Sequence, residues 1–239
     1  MRVVRHDLII PNLPPALKGA TLAQLTDIHR SWCTSDALIK KAVEITNAEK
    51  PAIIVLTGDF VTGNRADIAP CMEMLAPLKA FLGTYFILGN HDYTTDAPAV
   101  TKALEGIGFH SLVNRNVCFE EGLWMVGLDD DRCGVPDYSR ALEGVPSDAH
   151  FIALCHNPVM MESLVQYDCT ILSGHTHGGQ IVVPVLTAAK IRHIGSKNYW
   201  AGWYQLGKAR TYVSRGIGNV ALPLRLFAPP EVTFFTLLP

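Results

Sequence analysis

Side chains able to hold a metal ion recur along this sequence in short polar motifs. They are Asp27-x-His29, Gly58-Asp59, Gly89-Asn90-His91-Asp92, His156 and Gly174-His175-x-His177. Each residue has a plainer use: a buried aspartate can cap a turn, and a lone histidine is often only a satisfied polar group. Turn chemistry does not account for all of them arriving together, each behind an apolar run and most beside a glycine. The donors are carboxylates, imidazoles and one amide oxygen, with no thiolate. That set suits Mn, Fe or Zn better than Ca or Mg. It is too large for one transition ion and about right for two, held roughly 3.5–4 Å apart as in phosphate ester hydrolysis.

The motifs need elements to carry them. Thr21 to Thr26 reads as a strand ending on Asp27-Ile28-His29. A helix follows from about Asp36 to Glu49, with Ser35 as its N-cap. Ala52 to Leu56 is an unbroken apolar run, suited to a strand buried on both faces. It ends on Thr57-Gly58-Asp59. Helical character returns from about Asp67 to Phe81, and Thr84 to Leu88 delivers Gly89-Asn90-His91-Asp92. A further helix is expected from Asp96 to Leu104. Short strands are expected at 110–120 and 123–128. Phe151 to Cys155 ends on His156, and Pro158 opens a short helix. Cys169 to Leu172 ends on the last histidine pair. Residues 3–10 form a first strand, expected at an edge, and strands close the chain near 210–214 and 231–238. In open α/β sheets ligands bind at the carboxyl ends of strands, so the pattern is organised around one site. Strand side chains alternate with period two. Asp-x-His and His-x-His then place both side chains on one side of an extended segment, to grip one centre or two adjacent ones.

Bulk composition agrees with a large core. The chain has 239 residues, 49% hydrophobic and 18% charged, which excludes disorder and reads as one domain over residues 1–239. A net charge of −2 argues against a nucleic-acid binder working by bulk charge. No CxxC pair occurs among the cysteines, which read as reduced and mostly buried. That favours a cytoplasmic setting. The basic residues near Met1 are followed by no apolar core, so no signal peptide is read there, and no run is long enough to span a bilayer.

Taken in order, the motifs resemble the full set of blocks of the calcineurin-like metallophosphoesterases, across residues 27 to 177. Asp27-Ile28-His29-Arg30-Ser31, Gly174 to Gln180, and Tyr212 to Gly218 with Pro230-Glu231 further resemble a bacterial branch of small phosphodiesterase-like members. That branch is related to UDP-2,3-diacylglucosamine hydrolases. Some relatives carry a signal sequence or membrane anchor, and none is read ahead of the first strand here.

The resemblance implies a two-sheet β sandwich flanked by helices in αββα layers. It implies that Asp27, His29 and His177 hold one divalent ion, that Asn90, His156 and His175 hold a second, and that Asp59 bridges them. A hydroxide between the ions would attack phosphorus. His91 would face the substrate and protonate the leaving group, and Asp92 would orient His91. The implied activity is cleavage of phosphodiester or pyrophosphate bonds. A UDP-diacyl sugar lipid precursor is one substrate class. A soluble phosphomonoesterase or phosphodiesterase of nucleotides or small esters is the alternative, and a non-catalytic binding module on the same fold is a third reading.

Other residues carry weaker signals. Arg30, directly after the first motif, could clamp a phosphate or be a surface arginine. Arg215 could support a site loop or serve structure alone. Asp129-Asp130-Asp131 could orient a ligand or bind a cation, or be a solvated acidic loop. Residues 184–203 read as a loop. Basic and aromatic residues over 190–204, with the apolar stretch 222–227, suit peripheral contact with the inner face of a membrane or an apolar substrate rim. They suit inward packing equally. His6, His110, His150 and His193 have no partners in sequence and read as structural or exposed.

Overall fold

The computed structural model describes residues 1–120, 122–183 and 186–239. In chain order the elements are β1 (Arg2–Ile9), β2 (Thr21–Leu25), α1 (Asp36–Ala48), β3 (Ile53–Thr57), α2 (Ile68–Leu75) and β4 (Thr84–Ile87). Then come α3 (Asn90–Gly106), β5 (His110–Ser111), β6 (Arg115–Phe119), β7 (Leu123–Gly127), α4 (Tyr138–Ala141) and β8 (Phe151–Leu154). The chain finishes with β9 (Cys169–Ser173), α5 (Leu186–His193), β10 (Gly202–Leu206), β11 (Ala209–Val213) and β12 (Glu231–Leu238).

The strands form two six-stranded sheets, ordered β1-β12-β2-β3-β4-β5 and β10-β11-β9-β8-β7-β6. β2, β3, β4 and β5 run parallel, as do β7, β8, β9 and β11. β1 lies at an edge, as its weak alternation suggested.

The period-two rule explains the layers. Ile53 and Val55 of β3 turn into the core between the sheets, against Met125, Ile152, Leu154 and Leu172. Ile54 and Leu56 turn outward beneath α1, α2 and α3, packing with Ile39, Val43, Leu75 and Leu104. All of β3 is therefore buried. The second sheet's outer face is covered by a 3-10 helix at Pro158–Leu164 and the single turn of α4.

Parallel order places the carboxyl ends of β2, β3, β4, β8 and β9 at one end of the sandwich. Gln24 ties the sheets together just beneath it. Its Nε2 donates to Thr57 Oγ1 at 3.1 Å and, across the sandwich, to the Ser173 carbonyl at 3.0 Å.

Three expectations are corrected. Residues 184–203 do not form one loop: α5 occupies Leu186–His193, β10 begins at Gly202, and positions 184 and 185 lie outside the described residues. The helix expected from Asp96 starts at Asn90 and kinks at Asp96, so the Gly89–Asp92 motif is a helix's first turn rather than a strand-end turn. The expected helix from Asp67 to Phe81 is shorter, because α2 stops at Leu75, just before Pro77.

Candidate metal centre

The donors stand on loops that leave the strands abruptly. β2 ends at Leu25 and β9 at Ser173, so the pairs 27/29 and 175/177 are not on extended backbone. Asp27, His29, Asp59, His175 and His177 all adopt left-handed conformations, with φ of 51°, 45°, 59°, 68° and 53°. Such angles cost about 1–3 kcal/mol each for a residue with a Cβ. The surrounding bonds impose them. The Asp27, His29 and Arg30 amides donate to the carbonyls of Gly58, Asp59 and Phe60 at 2.9–3.0 Å, which joins the two loops. The His175 amide donates to both Asp27 carboxylate oxygens at 3.0 Å. Two glycines allow the close approach. A Cβ at Gly174 would stand 2.2 Å from Asp27 Oδ2, and one at Gly89 2.3 Å from Asp59 Oδ1.

Two donor groups result. Asp27, His29 and His177 form the first; Asp59, His156 and His175 form the second. Asp59 Oδ2 stands between them, 3.3 Å from His29 Nε2 and 3.1 Å from His156 Nε2. His29 and His177 turn their Nε2 atoms to within 3.0 Å of each other, and His175 Nδ1 stands 3.2 Å from His156 Nε2. Donors each about 2.1 Å from one ion at near-right angles are about 3 Å apart. Asn90 supplies a further donor: its Oδ1 is buried and has no hydrogen-bond partner. An unpaired buried oxygen is costly, and an ion beside it would remove that cost. The residues fit a pair of divalent ions.

Bonds behind the donors set their tautomers. His156 Nδ1 donates to the Thr57 carbonyl at 2.7 Å, leaving the Nε2 lone pair facing the site. His175 Nε2 donates to the Ile194 carbonyl at 3.2 Å, leaving Nδ1 free. His29 Nδ1 meets Thr62 Oγ1 at 2.7 Å. His177 is the exception, because its Nδ1 faces the Arg225 guanidinium at 3.1 Å, a group that only donates.

The electrostatics favour positive charge on both sides of Asp59. Burial alone would lower His29, but the Asp59 and Asp27 carboxylates raise it to about 9. Burial likewise opposes protonation of His156, and Asp59 overcomes it, holding this histidine well above its ordinary value. His175 is pushed down to about 4 by burial and by His156.

His91 is half-buried, its ring edge-on to His29 with centroids 4.9 Å apart. Burial lowers it below its ordinary value, with Asp59 opposing. It also lies within reach of His29 and Asp59 as a third donor group. Asp92 departs from its expected place. Its carboxylate makes no bond to His91. It accepts backbone N–H bonds from Asp59 and Gly89 on Oδ2, at 2.8 and 2.9 Å, and from Phe60 and Val61 on Oδ1, at 2.8 and 3.4 Å. Helix start and metal loop are thus pinned to one buried carboxylate, which holds the loop of Asp59 rather than the ring of His91.

The two sequence-chosen arginines are engaged elsewhere. Arg30 pairs with Asp67 and lies 3.5 Å from Asp36, and Arg215 donates to Glu231 at 2.6 Å. Each guanidinium is thus paired with a carboxylate of the protein. Sequence reading passed over Arg225, which donates to the carbonyls of Gly218, His177, Arg215 and Ala228 beneath the site. A lone arginine among leucines carries no sequence signal of that role. The proposed interfacial aromatics divide: Tyr199 and Tyr204 are half-buried against each other, whereas Trp200 and Trp203 are exposed, with one edge of Trp203 against Tyr212 and His6. The stretch 222–227 does expose Leu222, Leu224, Leu226 and Phe227, and Trp32 joins them at 80% exposure.

Comparison with known proteins places this geometry. Residues 20–179 match the family model described as Calcineurin-like phosphoesterase. The chain is 32% identical to the uncharacterized metallophosphoesterase YkuE of Bacillus subtilis, over 99% of this chain and 85% of that protein. It is 27% identical to a zebrafish transmembrane protein with metallophosphoesterase domain, of which it spans 56%. Among solved structures, a dimetal phosphatase from Danio rerio superposes with a TM-score of 0.57 at 12% identity, covering 86% of this chain and 90% of that one. TT1561 of Thermus thermophilus gives the same TM-score and identity, covering 84% and 91%. Both share the fold.

Proposed function

The chain belongs to the calcineurin-like phosphoesterase family and is a metal-dependent phosphoesterase, and on that premise we propose that it hydrolyses phosphodiester or pyrophosphate bonds at the site of Asp59. Residues 1–239 act as one unit in this reading. Asp27, His29 and His177 would hold one divalent ion, Asn90, His156 and His175 would hold a second, and Asp59 would serve both. The observation that carries the reading is the pair of donor groups set about Asp59, together with the buried, unpartnered Oδ1 of Asn90. When bound, the ions, Mn, Fe or Zn by donor chemistry, supply charge that activates water and neutralises the phosphoryl oxygens.

The chain's own residues do the rest. Asp92 fixes the Asp59 loop and the start of α3, so Asp59 and Asn90 keep their spacing. His91 stands at the half-open side of the cluster and donates a hydrogen bond to a phosphoryl oxygen. The substrate's negative charge raises its proton affinity, which readies it to pass a proton to the leaving oxygen. The test is metal content together with hydrolysis of bis(p-nitrophenyl) phosphate. Two divalent ions per chain are expected, and His91→Ala should lose about 10²-fold or more in rate with both ions retained. Full activity in that variant would remove His91 from the reaction. A protein that binds the ions and cleaves no ester would be a binding module on this fold.

A second reading concerns the substrate's other end. Leu222, Leu224, Leu226 and Phe227 make an exposed apolar rim beside the His177 loop, Trp32 is exposed on the loop after His29, and Lys190 of α5 reaches the Gly179 carbonyl of that same His177 loop. Gln180 holds the rim's backbone, donating to the Val220, Leu222 and Leu224 carbonyls at 3.0–3.2 Å. Apolar side chains flanked by cations suit peripheral contact with an anionic membrane on its cytoplasmic face. A lipid-linked ester such as a UDP-diacyl sugar then competes with soluble esters as substrate. No helix among the described residues is long and apolar enough to cross a membrane. Sedimentation with anionic liposomes, lost in a Leu224→Ser/Phe227→Ser variant, checks this; absence of wild-type sedimentation ends it.

A further inference from the structure

The triple aspartate, open in sequence between ligand orientation, cation binding and a solvated acidic loop, is not solvated as a whole. Asp129 is buried and accepts bonds from Tyr93 Oη, the Asp130 amide at 2.8 Å and the Val135 amide at 2.9 Å. Asp130 is fully buried, and its Oδ1 accepts the amides of Arg132 at 3.0 Å and Cys133 at 2.8 Å. Asp131 accepts Asn157 Nδ2 at 3.1 Å, and Asn157 follows the donor His156. Tyr93 lies in the first turn of α3, directly after Asp92. The loop is thus bolted to the segment of Asn90, through Tyr93, and to the segment of His156, through Asn157.

Arg132 is what this mount carries. Its Nη1 donates to the Ile194 carbonyl at 2.9 Å, the same oxygen that His175 Nε2 approaches at 3.2 Å. The shared acceptor places the guanidinium beside the outer edge of the His175 ring, on the side of Nε2. No other bond of its guanidinium is formed among the described residues, and the side chain is exposed. Arg30, Arg215 and Arg225, the other arginines bonded around the donor loops, are committed to carboxylates or carbonyls. Arg132 alone among these four is exposed, and only its Nη1 is bonded.

We propose that Arg132 is a specificity-determining residue that grips the second phosphoryl group of a pyrophosphate diester while the first lies at the donor groups. This rests on the phosphohydrolase reading above and narrows it. In the reaction, water adds across one P–O–P linkage: one P–O bond forms, one breaks, and both halves leave as phosphomonoesters with release of a proton. No redox partner is needed. A planar fork binding two phosphoryl oxygens matches such a substrate and is idle with a diester that has one phosphoryl group.

The experiment compares wild type, Arg132→Ala and Arg132→Lys, each loaded with Mn. The substrates are bis(p-nitrophenyl) phosphate, with one phosphoryl group, and two pyrophosphate diesters, soluble ADP-ribose and CDP-diacylglycerol in detergent micelles. For the pyrophosphate diester that wild type cleaves, Arg132→Ala should lose roughly 10- to 100-fold in kcat/KM, mostly through KM. Loss on bis(p-nitrophenyl) phosphate should stay under about threefold, and Arg132→Lys should recover part of the loss. Calorimetric binding of α,β-methylene-ADP should weaken by a similar factor, and binding of inorganic phosphate should not. The preferred diester tells a soluble source from a lipid one. Equal losses on all substrates would make Arg132 a clip for Ile194 and overturn the inference. Wild-type cleavage of bis(p-nitrophenyl) phosphate alone would overturn it while leaving the phosphohydrolase reading intact. Cleavage of nothing sinks both.

Discussion

Replacing Asp92 with asparagine tests which neighbour this residue serves. Asparagine keeps the shape and one acceptor oxygen but puts an NH2 group on the other side. In the folded protein each carboxylate oxygen accepts two backbone amides. Whichever way the amide turns, a donor then faces donors, and the pair from Asp59 and Gly89 or the pair from Phe60 and Val61 is stranded. A buried unsatisfied donor costs about 1–3 kcal/mol, so the change should cost about 2–6 kcal/mol. For a chain of this size that is a fall in Tm of roughly 5–20 °C. Because Asp59 is on the disturbed loop, metal affinity should drop by about 10- to 100-fold. The decisive assay is a double-mutant cycle with His91→Ala, reading both metal affinity and kcat at saturating Mn. If Asp92 serves the metal loop, Asp92→Asn weakens metal binding as much in the His91→Ala background as in wild type. If it served only through His91, its effect would vanish once His91 is gone. An Asp92→Asn protein with wild-type metal affinity and melting temperature would refute the reasoning.

Asp59→Asn should lose both ions and rate together, since one oxygen of this residue lies between the two donor groups; metal analysis after dialysis checks it. Gly174→Ala would drive a methyl group to 2.2 Å from Asp27 Oδ2 and Thr26 Oγ1. It should lower metal occupancy of the first group and destabilise the fold by about 1–3 kcal/mol, read by metal titration and denaturant unfolding. His150, far from the donors in the fold, is buried against Asp168 and Thr170. Burial holds it below 6.5, with Asp168 opposing. The unfolded chain therefore binds the extra proton first. The stability His150 contributes should be full above about pH 6.5 and fade as the pH falls below it. His150→Gln should flatten that part of the pH–stability curve measured by urea unfolding.

The sequence made the donors and their strands legible because burial on both faces leaves an unmistakable apolar run, as in Ile53 to Leu56, and because the motifs sit where those runs stop. It did not reveal how the backbone turns them inward. Alternation along a strand was the available rule, yet Asp27 and His175 take left-handed angles that only tertiary bonds impose. The same limit hid Asp92's true partners. Adjacent residues suggested an Asp92–His91 bond, whereas the carboxylate reaches amides some thirty positions away along the chain. Arg30 looked available because it follows a motif, and it is spent on Asp67. Arg132 and Arg225 matter through bonds to carbonyls, and a carbonyl leaves no mark in a sequence.

The left-handed donors also bear on how such a site decays over evolutionary time. At Asp27, His29, Asp59, His175 and His177 the backbone favours glycine or asparagine, and the ligand chemistry demands the opposite. A substitution to glycine at any of them would relieve local strain while deleting a ligand. A lineage released from selection for catalysis would therefore drift downhill in free energy as it lost its ions. The intact set in this chain therefore carries backbone strain at five separate positions, which the bonds joining the loops must offset.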